Sequence, residues 1–176
     1  LLSMMGIQFD VVIRHVDESF PDHLDPVSAA RYIAQKKASA FRGLDDEGLV
    51  IAADTVVTID NQILGKPRDY EQAVSMLSQL AGRRHEVITA VALFYRGLTT
   101  VFHEITAVFF AALTHREIEH YVSECQPFDK AGAYGIQDWI GAVAVKRIEG
   151  EYNNVVGLPT QHLYEVLREK FPGVIR

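Results

Sequence analysis

One cysteine, Cys125, is all the thiol chemistry that this chain of 176 residues carries. A single cysteine can form no internal disulfide and assemble no cysteine-based metal knot. No apolar run is long enough to span a bilayer and no secretory apolar segment opens the chain, so the cytoplasm is the expected compartment, with no membrane partner. Basic residues are outnumbered, 17 against 23 acidic, for a net charge of −6. That balance argues against nucleic acid as a partner, while a small anion held by a local group of lysines and arginines stays open. Repeats, linkers and low-complexity segments are absent too, so one domain over residues 1–176 is expected. There is no Walker loop, no G-x-S-x-G and no Cys–His nucleophile pair, and the seven histidines show no metal-ligand spacing.

What is present reads as alternating helices and strands. "LLSMMG" resembles the last turn of a helix closed by Gly6, with nothing upstream to form it, and the native start is therefore expected to lie upstream. "IQFDVVI" alternates as a short strand. Residues 26–42 predict a helix, with Asp25 as N-cap, Pro26 in the first turn and Gly43 as the stop. Its apolar stripe is Ala30, Ile33, Ala34 and Phe41, and Lys37 falls on that stripe while Lys36 faces solvent. "GLVIAADTVVTID", 48–60, reads as a strand buried on both faces, followed by an Asp60–Asn61 hairpin turn into "QILGKP". A helix capped by Asp69 and stopped by Gly82 buries Ala73, Met76, Leu77 and Leu80. Two long strands meet at Gly97, and a helix with a Thr114/Glu117 capping box follows. Residues 129–159 read as Gly-rich loop and strand, and "TQHLYEVLREKF" as the closing helix. Intermixed strands and helices favour an α/β protein with a mixed sheet.

Asp54 stands in the middle of the buried strand, where an unpaired carboxylate costs several kcal/mol or more. It is either an interior carboxylate satisfied by backbone N–H groups, or a metal ligand or general base at the mouth of a sheet. Thr55 offers a hydroxyl on the opposite face. Lys37 either snorkels to water or aims a cation into a cleft. From spacing alone Lys66, in "LGKP", reads as a surface turn lysine, while Glu18, in "VDE", reads equally well as a solvated loop charge. In "DKAGAYGIQ", Gly132 and Gly135 allow a close backbone approach, Tyr134 offers a stacking face, and Gln137 offers an amide able to read a base edge. His85 is either a base or, as a lone histidine beginning a strand more often is, a structural hydrogen-bonder.

Taken together, "ADTVV" (53–57), "LGKP" (64–67), "LAGRRHEVITAVAL" (80–93), "DKAGAYGIQ" (129–137) and "IEGEYNNVVGLP" (148–159), with the weaker "VDE" and "AQKKA", resemble the Maf family of septum-formation-inhibitor-like nucleotide pyrophosphatases. The motifs stand in the family's order over almost the whole chain, and the "ADT…AYGIQ" pattern is similar to its dTTP/UTP-directed branch. The resemblance implies two lobes around a deep cleft, as in the inosine-triphosphate pyrophosphatases, and a homodimer. It implies cleavage of a nucleoside triphosphate to monophosphate and pyrophosphate with Mg²⁺ or Mn²⁺, and a house-cleaning role linked to arrest of cell division. By position Asp54 matches the catalytic acid, also placed near the metal with Glu18. Thr55 and Gln137 match specificity positions, and Lys37, Lys66 and Glu18 match polar residues of the substrate cleft. Two departures stand out: the family's opening Ser-x-Ser-Pro-Arg-Arg segment has no counterpart here, and Ala111 replaces an arginine common in the family. A non-catalytic nucleotide-binding regulator of division is the rival from another class. A purine-directed pyrophosphatase on the same fold is the third reading, opposed by Thr55 and Gln137 through the resemblance.

Overall fold

In the computed structural model, which describes residues 1–43 and 48–174, one five-stranded sheet organises the chain in the order β2-β1-β3-β4-β5. Its strands are β1 (Val50–Ile59), β2 (Gln62–Leu64), β3 (Arg84–Tyr95), β4 (Leu98–Phe110) and β5 (Val145–Glu149). The α/β architecture is as expected. Strand direction differs from the mixed sheet inferred from the element order: all four described pairings are antiparallel. For two of the pairings the reason is local, because tight turns join β1 to β2 and β3 to β4. Asp60 and Asn61 at the first turn, and Arg96 and Gly97 at the second, all take positive φ, as two-residue hairpins require.

Helices cover the two faces unequally. On one face α1 (Pro26–Ser39) packs Ala30, Ala34 and Ala38 onto Val56, Ile88, Ala90 and Ala92. Small residues on both sides let helix and sheet approach closely. On the other face the larger core joins β1, β3 and β4 to α2 (Tyr70–Leu80), α3 (His115–Cys125) and α4 (Trp139–Ala144). The closing helix α6 (Thr160–Lys170) seats Leu163 and Leu167 on Val91, Leu93 and Phe102, and α5 (Tyr152–Val156) packs Val155 and Val156 against the larger core.

Local signals in the sequence locate most of these elements. Asp25 accepts from the Ser28 N–H, Asp69 from the Gln72 N–H, and Thr114 with Glu117 forms the full capping box. Residues 2–5 form a single 3₁₀ turn closed by Gly6 in the left-handed region. Three expectations change. "IQFDVVI" forms no strand, because no described strand runs beside it; only Ile7 is buried, while Val11 and Ile13 are about four-fifths exposed. The first helix ends at Ser39, three residues early, and continues as turns to Gly43. The segment read as loop and strand contains α4 and α5, whose β-branched residues and glycines hid two short helices.

Candidate functional site

β2 pairs with β1 only from Val57 to Ile59, and β3 takes the other edge, so among the described residues the outer edge of β1 from Val50 to Val56 meets no strand. A pocket of about 440 Å³ wraps around that edge. It falls in the size range of small-ligand sites. Because the pocket turns the edge, Asp54 and Thr55 line it together although their side chains leave opposite faces of the strand. Of the six residues matched by position to the family's site, five line it: Lys37, Asp54, Thr55, Lys66 and Gln137. The sixth, Glu18, lies in the adjoining groove and is tied to the pocket through Lys37.

The charged end is a linked set. Lys37 Nζ donates to Asp54 Oδ1 at 2.7 Å and lies 2.8 Å from Glu18 Oε1, while Lys66 Nζ reaches Glu18 Oε2 at 3.2 Å. The Asp54 side chain is 10 % exposed and that of Lys37 25 %, so neither charge is freely solvated. Burial pushes the Asp54 carboxyl above its usual range, with Lys37 pulling the other way. Burial works against the Lys37 ammonium too, yet hydrogen bonds to Asp54 and Glu18 raise its pKa overall and keep it charged. Glu18 is held low, chiefly by its hydrogen bond to Lys37. The open choices for Lys37 and Asp54 are thereby decided in part: Lys37 aims inward, and Asp54 has a cationic partner rather than backbone ones. Lys36 is not simply solvated; it pairs with Asp17 at 3.1 Å.

The other wall is built from the 129–138 loop and α5. Gly132 is needed where it stands: its φ is +67°, and a Cβ there would lie 2.9 Å from Val57 Cγ1. This close approach presses the loop onto β1. Tyr121, on α3, fixes the next stretch by accepting the Gly135 N–H at 3.0 Å and donating to Asp138 Oδ2 at 2.7 Å. Gln137 is thus held exposed in the pocket between two anchored residues. Tyr134 offers little stacking face; its ring is 6 % exposed, its hydroxyl shares a 2.8 Å hydrogen bond with His85 Nε2, and it packs edge-on to Phe110. His85 is the structural hydrogen-bonder that the sequence suggested. Ala111 lies away from the pocket lining, and its backbone ties β4 to Ala144 and Gly82.

Sequence reasoning missed Lys130, a third pocket cation, paired with Asp129 at 3.0 Å. It also missed the hydroxyls behind Thr55. Lys130 stood inside a quoted motif, but nothing in its spacing distinguished it from a solvated charge. As for a metal, no three ligating side chains cluster among the described residues. Asp54 and Glu18 bring two carboxylates to one ammonium, a hard-oxygen pair that fits Mg²⁺ or Mn²⁺, ions which complete their shell with water and substrate phosphates.

Such a fold and pocket define an α/β protein with a lysine-edged polar cavity of small-ligand size. Residues 1–170 match the family model described as Maf-like protein, and the chain belongs to the Maf family. A relative from Porphyromonas gingivalis, named dTTP/UTP pyrophosphatase, is 44 % identical over 173 residues, covering 96 % of this chain and 87 % of its own. Proteins of the same name from Christiangramia forsetii and Flavobacterium psychrophilum are 43 % and 42 % identical, covering 94 % and 91 % of this chain and 85 % and 83 % of theirs.

Proposed function

We propose that this protein hydrolyses dTTP and UTP to the nucleoside monophosphate and pyrophosphate. The observation that carries the reading is Asp54, half-buried in the pocket wall and joined by Lys37 to Glu18, in a chain whose relatives bear that activity in their names. Lys37, Lys66 and Lys130 face the triphosphate, and Thr55 and Gln137 the base. Asp54 accepts the proton of a water that attacks the α phosphorus; the bond to the bridging oxygen breaks and pyrophosphate leaves. A carboxyl whose pKa is raised by burial is a better base than a solvated one. A divalent ion held by Asp54 and Glu18 would neutralise charge developing on the phosphates. Lysines restrained by carboxylates cost little further ordering when a polyanion arrives.

The test is incubation with Mg²⁺ and each common triphosphate, with products separated by chromatography. UMP or dTMP plus pyrophosphate is the expected result. Nucleoside diphosphate plus phosphate would put the cut at the wrong bond, and tight binding without turnover would favour the regulator reading.

A further inference from the structure

Thr55 and Thr89 stand opposite each other in the β1–β3 register, and their hydroxyl oxygens are 2.8 Å apart. Taken alone, either could donate. The Thr89 hydroxyl, however, also lies 2.8 Å from the main-chain carbonyl of Asn154. A carbonyl only accepts, and a threonine hydroxyl has one proton. Thr89 therefore spends its proton on Asn154 and must accept from Thr55. Thr55 has then spent its own proton inward, and what it shows to the pocket is lone pair alone.

The carbonyl that sets this direction is itself anchored. The Asn154 side-chain amide donates to the Val87 carbonyl and to Thr106 Oγ1, both at 3.0 Å, and Thr106 passes its proton to the Glu151 carbonyl at 3.0 Å. Thr89, Thr106 and Asn154 are each 0 % exposed, so solvent offers no competing partner that would reverse the chain of donors. On the pocket side Thr55 is met by Gly157, which follows α5 and lines the pocket with it; a Cβ there would stand 3.6 Å from Thr55 Oγ1.

We propose that Thr89 and Asn154 are positioning residues that set base selectivity by holding the Thr55 hydroxyl as a hydrogen-bond acceptor, matched to the ring imide N–H of uracil and thymine. Cytosine presents a bare ring nitrogen at the equivalent place, so lone pair meets lone pair. The inference rests on the nucleotide reading above and adds to it the physical reason for a pyrimidine imide.

Thr89→Val removes the inward acceptor while keeping shape, which frees the Thr55 proton to turn outward; the Asn154 carbonyl still accepts the Gly157 N–H. Two readouts are compared in wild type, Thr89→Val and Thr89→Ser: kcat/KM for UTP against CTP, and calorimetric affinity for α,β-methylene UTP against its CTP counterpart, which cannot be cut. The UTP preference should fall about tenfold or more in Thr89→Val, in KM rather than kcat, and stay within about twofold of wild type in Thr89→Ser. Equal losses on both bases, no UTP preference in wild type, or a serine variant behaving like valine would each overturn the proposal. If wild type cuts neither triphosphate, the pyrophosphatase reading fails, and the analogue affinities still decide whether Thr89 sets the polarity.

Discussion

Acidification should destabilise this protein through one buried imidazole. His85 is 1 % exposed, its ring stands edge-on to Phe110 and Tyr134, and its Nδ1 finds no hydrogen-bond partner among the described residues. Burial, with a contribution from the Arg84 charge, lowers its pKa from 6.5 to about 4. The unfolded chain therefore takes up this proton first as pH falls. The contribution of a neutral His85 is complete above pH 6.5 and is lost progressively toward pH 4. At about 1.4 kcal/mol per unit, the loss at pH 4.5 is about 2–3 kcal/mol, or roughly 5–10 °C in Tm for a chain of this size. Urea denaturation of wild type and His85→Gln at pH 7.5 and pH 4.5 isolates the effect, since glutamine can still bond Tyr134 but cannot titrate. Wild type should lose about 2–3 kcal/mol more than the variant between the two conditions. Equal losses, or a His85 ring resonance titrating near its ordinary value in the folded protein, would refute the reasoning.

Three further outcomes follow from the pocket. Asp54→Asn should lower kcat on the order of a hundred- to ten-thousandfold while leaving calorimetric UTP binding measurable; undiminished turnover would remove Asp54 from the chemistry. Tyr121→Phe leaves the Gly135 N–H and the Asp138 carboxylate without their shared partner, and should cost about 1–3 kcal/mol by thermal denaturation. An unchanged Tm would show that the 135–138 loop is held by packing alone. Gln137→Ala should shift the ratio of UTP to GTP hydrolysis more than the maximal rate, and a parallel fall on both substrates would mean that the amide does not read the base.

The fold was legible where the signal is local. Asp25, Asp69 and Thr114 cap their helices because a side-chain oxygen two or three residues from a free N–H needs no tertiary information. Asp60 and Asn61 turn a hairpin for the same kind of reason. Residues 7–13 had the alternation of a strand, but alternation specifies only faces, and a strand also needs a neighbour to complete its ladder. The single-residue candidates of the site were visible as misfits, a carboxylate in an apolar strand and a lysine on an apolar stripe, and their mutual contact accounts for both misfits at once. The pairing itself was not visible, since it joins α1 to β1 through space.

The hydroxyl network shows the same limit more sharply. Thr55 lies 34 positions from Thr89, and Thr89 lies 65 from Asn154. Threonine is so ordinary in strands that its presence at 89 carries no message in the sequence. Only the register that sets Thr55 against Thr89, and the placement of α5 behind them, turns these common residues into a directed chain of donors. The polarity of a hydroxyl in the pocket is then fixed by a carbonyl at the far end of that chain. A residue that touches no ligand can thus decide which ring edge the site accepts.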